Sequence, residues 1–128
     1  MGQSPETYLG TERRSHLVVG SERLGAHEWS LGGDWKDSEQ SIRSGKKSTL
    51  KYHFSARDVY LVLGGIGTVS VKVDGKIQYP STDVHDGKIT VNTDRMYHLV
   101  HAPSFLSDGL LELEFSPGID AYAFTFGG

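Results

Sequence analysis

Histidine is the side chain best able to hold a metal or move a proton near neutral pH, and this chain has six. His98 and His101 are three positions apart, which in a regular strand places them on opposite faces and prevents shared chelation. His53 and His98 share a polar face if their strands pair, whereas His16, His27 and His85 fall near predicted loops. No ligand spacing recurs, so the histidines predict scattered surface residues and no metal site. Asp74, Asp86, Asp108 and Asp120 fall where turns or strand ends are expected. Such aspartates can hold a structural calcium in sandwich loops, but no calcium-ligand loop is spelled out, and no cofactor is expected.

Paired carboxylates are the next chemistry to consider. Glu112 and Glu114 point the same way from one predicted strand, and two carboxylates beside a groove can hydrolyse glycosides. The stronger reading is the solvated face of an edge or outer strand, charged against edge-to-edge pairing. Serine, histidine and aspartate are all present, but no serine occupies a Gly-x-Ser-x-Gly elbow. Gly64-Gly65-Ile66-Gly67 precedes no helix and reads as a bend between strands, not as a phosphate loop. These readings predict a chain without catalytic residues of its own.

Aromatic rings are the remaining means of binding. Trp29 and Trp35 flank the Gly32-Gly33-Asp34 bend, and Tyr60 and Tyr79 fall at positions that can face solvent. Trp35, Tyr60 and Tyr79, with His53 and His98 as polar neighbours, form the candidate ligand set, a platform for stacking on a sugar ring. The competing and favoured reading has both tryptophans closing the end of the core.

These residues must be carried by strands. Leu50, Tyr52 and Phe54 alternate with polar residues, as do Val69, Val71 and Val73, then Leu111, Leu113 and Phe115, while Val59, Leu61 and Leu63 alternate with Asp58, Tyr60 and Val62. Tyr122, Phe124 and Phe126 alternate in the closing segment. Asp74-Gly75 predicts a two-residue hairpin, and Asp86-Gly87, Asp108-Gly109 and Pro117-Gly118 predict further turns. Leu17–Val19 and Glu28–Leu31 read as strands, Gln40–Lys47 as a loop, and no window has a helical period. The pattern is that of an antiparallel β-sandwich in one domain of 128 residues. A net charge of -3 gives no basis for a nucleic-acid partner. The run Val59–Leu63 is too short to span a bilayer, and the N-terminus does not read as a signal peptide. With no cysteine, the chain itself cannot carry a dithiol centre, a thiol nucleophile or a cysteine-ligated zinc.

Several segments in order are more specific: SPETYLG, EWSLGGDW, FSARDVYLVLGG, VSVKVDG, RMYHLV and EFSPGIDAYAFTFG. Together they resemble the C-terminal domain of DipZ-type proteins from Ser4 to Gly127. The resemblance implies a jelly roll like those of galactose-binding and carbohydrate-binding modules. It also implies a place after a thioredoxin-like, Cys-x-x-Cys-bearing domain of a thiol-disulfide oxidoreductase linked to cytochrome c biogenesis. Residues 1–15 would then be an arm leading from that upstream domain, and residues 16–128 the sandwich. The implied role is noncatalytic: docking a client protein or substrate and orienting the neighbouring domain, in an extracytoplasmic setting (periplasm or cell envelope). A glycan is the alternative partner.

Overall fold

A computed structural model describes residues 6–19 and 23–128. Among these residues there are nine strands and no helix. They are β1 (Glu6–Tyr8), β2 (Trp29–Gly32), β3 (Trp35–Asp37), β4 (Ile42–Ser44), β5 (Ser48–Gly65), β6 (Gly67–Val73), β7 (Lys88–Val91), β8 (Arg95–Phe115) and β9 (Ile119–Gly127). No helix is therefore long and apolar enough to cross a membrane among the described residues.

Two strands organise the rest. β5 and β8 pair antiparallel from Ser48↔Phe115 to Leu63↔Arg95, with register shifts between Phe54 and Asp58 and again between Val59 and Tyr60. Before the shifts, β2 flanks β5 while β6 and then β7 flank β8, giving one layer. After them, β9 flanks β5, with β1 and β4 on the far side of β9 and β3 beyond β4, giving the other. Bulges let a strand bend and change layers. The whole is one hydrogen-bonded sheet curled into an antiparallel jelly-roll sandwich.

The alternating apolar residues meet between the layers. Leu50, Tyr52, Phe54, Leu111 and Leu113 point in from the first, and Val59, Leu61, Leu63, Phe124 and Phe126 from the second, all buried. The Tyr52 ring lies 5.0 Å from that of Phe124 and 5.1 Å from that of Phe126. Its hydroxyl is 2.5 Å from Thr7 Oγ1, which ties β5 to β1 across the core. Trp29 is fully buried and donates from Nε1 to Ser15 O at 2.8 Å, so this tryptophan does close the core.

Several local expectations change. Asp74-Gly75 forms the expected two-residue turn, with φ of 53° and 78° and reciprocal bonds between Val73 and Lys76. Asp86-Gly87 forms another between His85 and Lys88. Asp108-Gly109 is no turn: β8 runs straight through it, because Gly109 lies under the Phe54 ring where a side chain would collide. Gln40–Lys47 is not simply a loop, since Ile42–Ser44 pairs with β3 and buries Ile42. Tyr122 falls outside the core cluster, because β9 has one extra residue between the partners of Leu61 and Leu63. Leu17 makes only an isolated bridge to Trp29, and the expected Leu17–Val19 strand does not form. Within the expected arm, Glu6–Tyr8 adds to β9 and Leu9 is buried, so this part belongs to the sandwich.

Candidate functional site

The most concentrated chemistry lies where β5 and β8 change layers. Val100 pairs with Val59 and His98 with Tyr60, which leaves Leu99 as an extra residue on β8. Leu99 and Val100 are consequently both buried. The bulge resets the alternation and brings His98 and His101 to the same face, against the expectation that they diverge. Asp58 stands opposite on β5, and its Oδ1 accepts from His98 Nε2 at 3.0 Å and from His101 Nδ1 at 2.7 Å. One donor atom from each residue lies within 4.8 Å of the others.

The surroundings fix this cluster. Tyr60 stacks on the His98 ring at 4.4 Å between centroids, and the two imidazole rings meet edge-on at 5.4 Å. The His98 backbone is held on both sides: its N–H donates to Asp83 Oδ2 at 2.8 Å, and its carbonyl accepts from Ser81 Oγ at 2.6 Å. Arg95 in turn grips Asp83 Oδ1 at 2.7 Å. That Arg95 hydrogen bond outweighs burial and holds the Asp83 carboxyl below its ordinary range, helped by the His98 N–H. At Asp58, burial pushes the carboxyl up, but the hydrogen bonds from His101 and His98 together outweigh it and leave it lowered.

A second feature lies on the outer face of the first layer. His53 Nε2 is 2.9 Å from Asp108 Oδ1, and Nδ1 is 3.1 Å from Leu24 O, so both ring nitrogens face oxygens. They border an open cleft of about 520 Å³ lined also by Arg23, Leu31, Lys51 and Leu110. Beyond it, Glu112 sits between Lys51 and Lys72, and Glu114 between Thr49 and Ser70. The two glutamates do share a face, but β8 is an interior strand, not the edge or outer strand expected. Cross-strand lysines stand on both sides of Glu112, whereas Glu114 faces the hydroxyl residues Thr49 and Ser70.

The structure thus divides the candidate ligand set. Tyr60 and His98 come together, and His53 sits in the separate cleft. Trp35 packs edge-on against Phe115 at 4.9 Å, with its Nε1 bonded to Gly32 O at 3.0 Å and Thr49 O at 3.2 Å. Tyr79 packs against the core from the segment after β6, at φ of 60°. Among the described residues, no ring contact joins Trp35 or Tyr79 to Tyr60. Asp58 and His101 belonged to no expected set. The adjacent apolar pair Leu99-Val100, which breaks strict alternation, was the available signal for the bulge that assembles them.

Comparison with known proteins gives these positions a context. The family model described as the thioredoxin-like C-terminal domain matches residues 4–127. The chain belongs to that family. Two relatives, protein DipZ of Mycobacterium bovis and protein DipZ of Mycobacterium tuberculosis, are each 31% identical over 137 residues. The match covers 97% of this chain and 18% of either relative, so the chain spans less than a fifth of the length of these curated relatives. Among solved structures, a family two carbohydrate esterase from Cellvibrio japonicus aligns with a TM-score of 0.67 at 14% identity. That alignment covers 98% of this chain and 34% of the esterase, and it shows a shared fold for the thioredoxin-like C-terminal domain.

Proposed function

We propose that this domain is a noncatalytic accessory module of a multidomain thiol-disulfide oxidoreductase, docking a client protein or substrate and orienting its neighbour. The observation that carries the reading is a whole-chain family match occupying only 18% of the relatives' length, in a chain with no cysteine. Dithiol chemistry in such a protein would reside in an upstream thioredoxin-like domain. Residues 1–15 would lead from that domain, with part of the segment recruited into the sandwich as β1. An extracytoplasmic location, in the periplasm or cell envelope, goes with this reading. The cleft beside His53 and Asp108 offers the mixture of apolar lining and converging polar groups that recognition surfaces use.

The test compares a thioredoxin-like domain alone with the same domain joined to this chain. Joining is expected to raise kcat/KM for reduction of a disulfide-bonded protein and to leave a small-molecule disulfide unaffected. Disulfide reductase or hydrolase turnover by the isolated chain would overturn the reading.

A glycan-binding module is the second reading, supported by the same cleft and by the fold shared with the carbohydrate esterase. It predicts saturable binding to a glycan panel that weakens on His53→Ala. Binding confined to Trp35→Ala-sensitive material would instead point to the aromatic platform.

A further inference from the structure

We infer that Asp58, His98 and His101 form a binding site for a divalent transition ion such as Zn²⁺, independently of the accessory-domain reading. Two imidazole nitrogens and one carboxylate oxygen suit zinc, copper or nickel, whereas calcium and magnesium favour oxygen donors throughout. At bond lengths near 2.0–2.2 Å, neighbouring donors in a tetrahedral zinc site are about 3.3 Å apart. The Asp58–His98 and Asp58–His101 separations are 3.0 and 2.7 Å, so each carboxylate–imidazole pair need open by only a few tenths of an ångström, and the three donor atoms all lie within 4.8 Å of one another.

The donors are also positioned. The Leu99 bulge fixes the two histidines on one face, Tyr60 backs the His98 ring, and Ser81 and Asp83 clamp its backbone. Arg57 lies 4.0 Å from Asp58 Oδ2, the other carboxylate oxygen, and leaves Oδ1 as the ligand atom. The His101 side chain is 49% exposed, so the ion has an approach from solvent and a fourth position open to water.

Binding changes the hydrogen-bonding of the rings. His98 Nε2 and His101 Nδ1 donate to Asp58 in the structure. To accept a metal, each must present a lone pair, and a neutral imidazole does so by carrying its proton on the other ring nitrogen. The ion would also join β5 to β8 at the point where both change layers. It should therefore raise Tm by several degrees when in excess over its Kd.

The experiment titrates the purified chain with ZnCl₂ at pH 7.5, using calorimetry and ¹⁵N spectra of the histidine rings. One Zn²⁺ per chain is expected, with a Kd tighter than about 10 μM. His101→Ala and Asp58→Asn should each weaken binding at least tenfold, while His53→Ala should leave it unchanged. Resonances of His98 Nε2 and His101 Nδ1 should move together at saturation. Absence of saturable binding at one ion per chain overturns the inference, as does unaltered affinity in His101→Ala. If that variant does not fold, the parent spectrum decides: zinc-dependent shifts confined to other histidines refute the site.

Discussion

Gly109→Ala separates two accounts of the same residue. A glycine in an exposed Asp-Gly turn would lose only its left-handed backbone on gaining a methyl group, about 1–2 kcal/mol, and that loss would not depend on Phe54. Here Gly109 is within β8 opposite Phe54, and a Cβ would lie 2.5 Å from Phe54 Cζ and 2.6 Å from Cε1. The Phe54 ring is 1% exposed and stacks on Phe126 at 6.5 Å, so it has little room to withdraw. Overpacking of this kind costs about 1–3 kcal/mol. A double-mutant cycle isolates the clash: Phe54→Leu alone destabilises by lost burial, but it also removes the ring atoms that oppose the methyl. The double variant should therefore be about 1 kcal/mol or more better than the sum of the singles. Urea unfolding followed by tryptophan fluorescence reads both quantities. If Gly109→Ala changes stability by less than about 0.5 kcal/mol, or the two changes simply add, the packing described for this strand is refuted.

Tyr52→Phe keeps the ring on Phe124 and Phe126 but removes the partner of the buried Thr7 hydroxyl, for an expected loss of about 1–2 kcal/mol in urea. Burial holds the Tyr52 phenol above its ordinary range despite the opposing Thr7 hydrogen bond, so its stabilisation is complete below about pH 10 and declines as pH rises beyond the unfolded-state value. A pH series of unfolding midpoints should show that decline, and the slope should lessen in Tyr52→Phe. Gly75→Ala tests the hairpin turn: φ is 78° with nothing within 4 Å of an added Cβ, so only the left-handed backbone penalty of about 1–2 kcal/mol is expected. A thermal-unfolding experiment in which this variant matched the parent would contradict the turn assignment.

Sequence alternation made most of the sandwich legible, because residues such as Leu50, Tyr52 and Phe54 face a core on one side only. Strands whose burial depends on a distant partner were harder to read. Ile42 lies among serines, glycine and lysines, and nothing local reveals that β3 and β9 will cover it. The Asp-Gly pairs show the limit of turn chemistry: residues 74–75 and 86–87 adopt positive φ, whereas at 108–109 the glycine serves close packing against Phe54. The candidate site was obscured by the same assumption that made the strands visible. A strict period of two separates His98 from His101, and one inserted residue at Leu99 reunites them. Its partner, Asp58, could be known only from the register between β5 and β8.

The pairing of β1 with β9, from Glu6↔Thr125 to Tyr8↔Ala123, has a consequence for synthesis on the ribosome. β1 has no place in the sheet until β9 has emerged. β5 waits likewise for both β8 and β9, so the hydrophobic rows of the early strands remain uncovered for much of translation. Such non-local pairing places folding on a timescale of about milliseconds to seconds, with loop closure as the slow step. A nascent chain arrested before Ile119 should therefore be a better target for chaperones and proteases than the released domain.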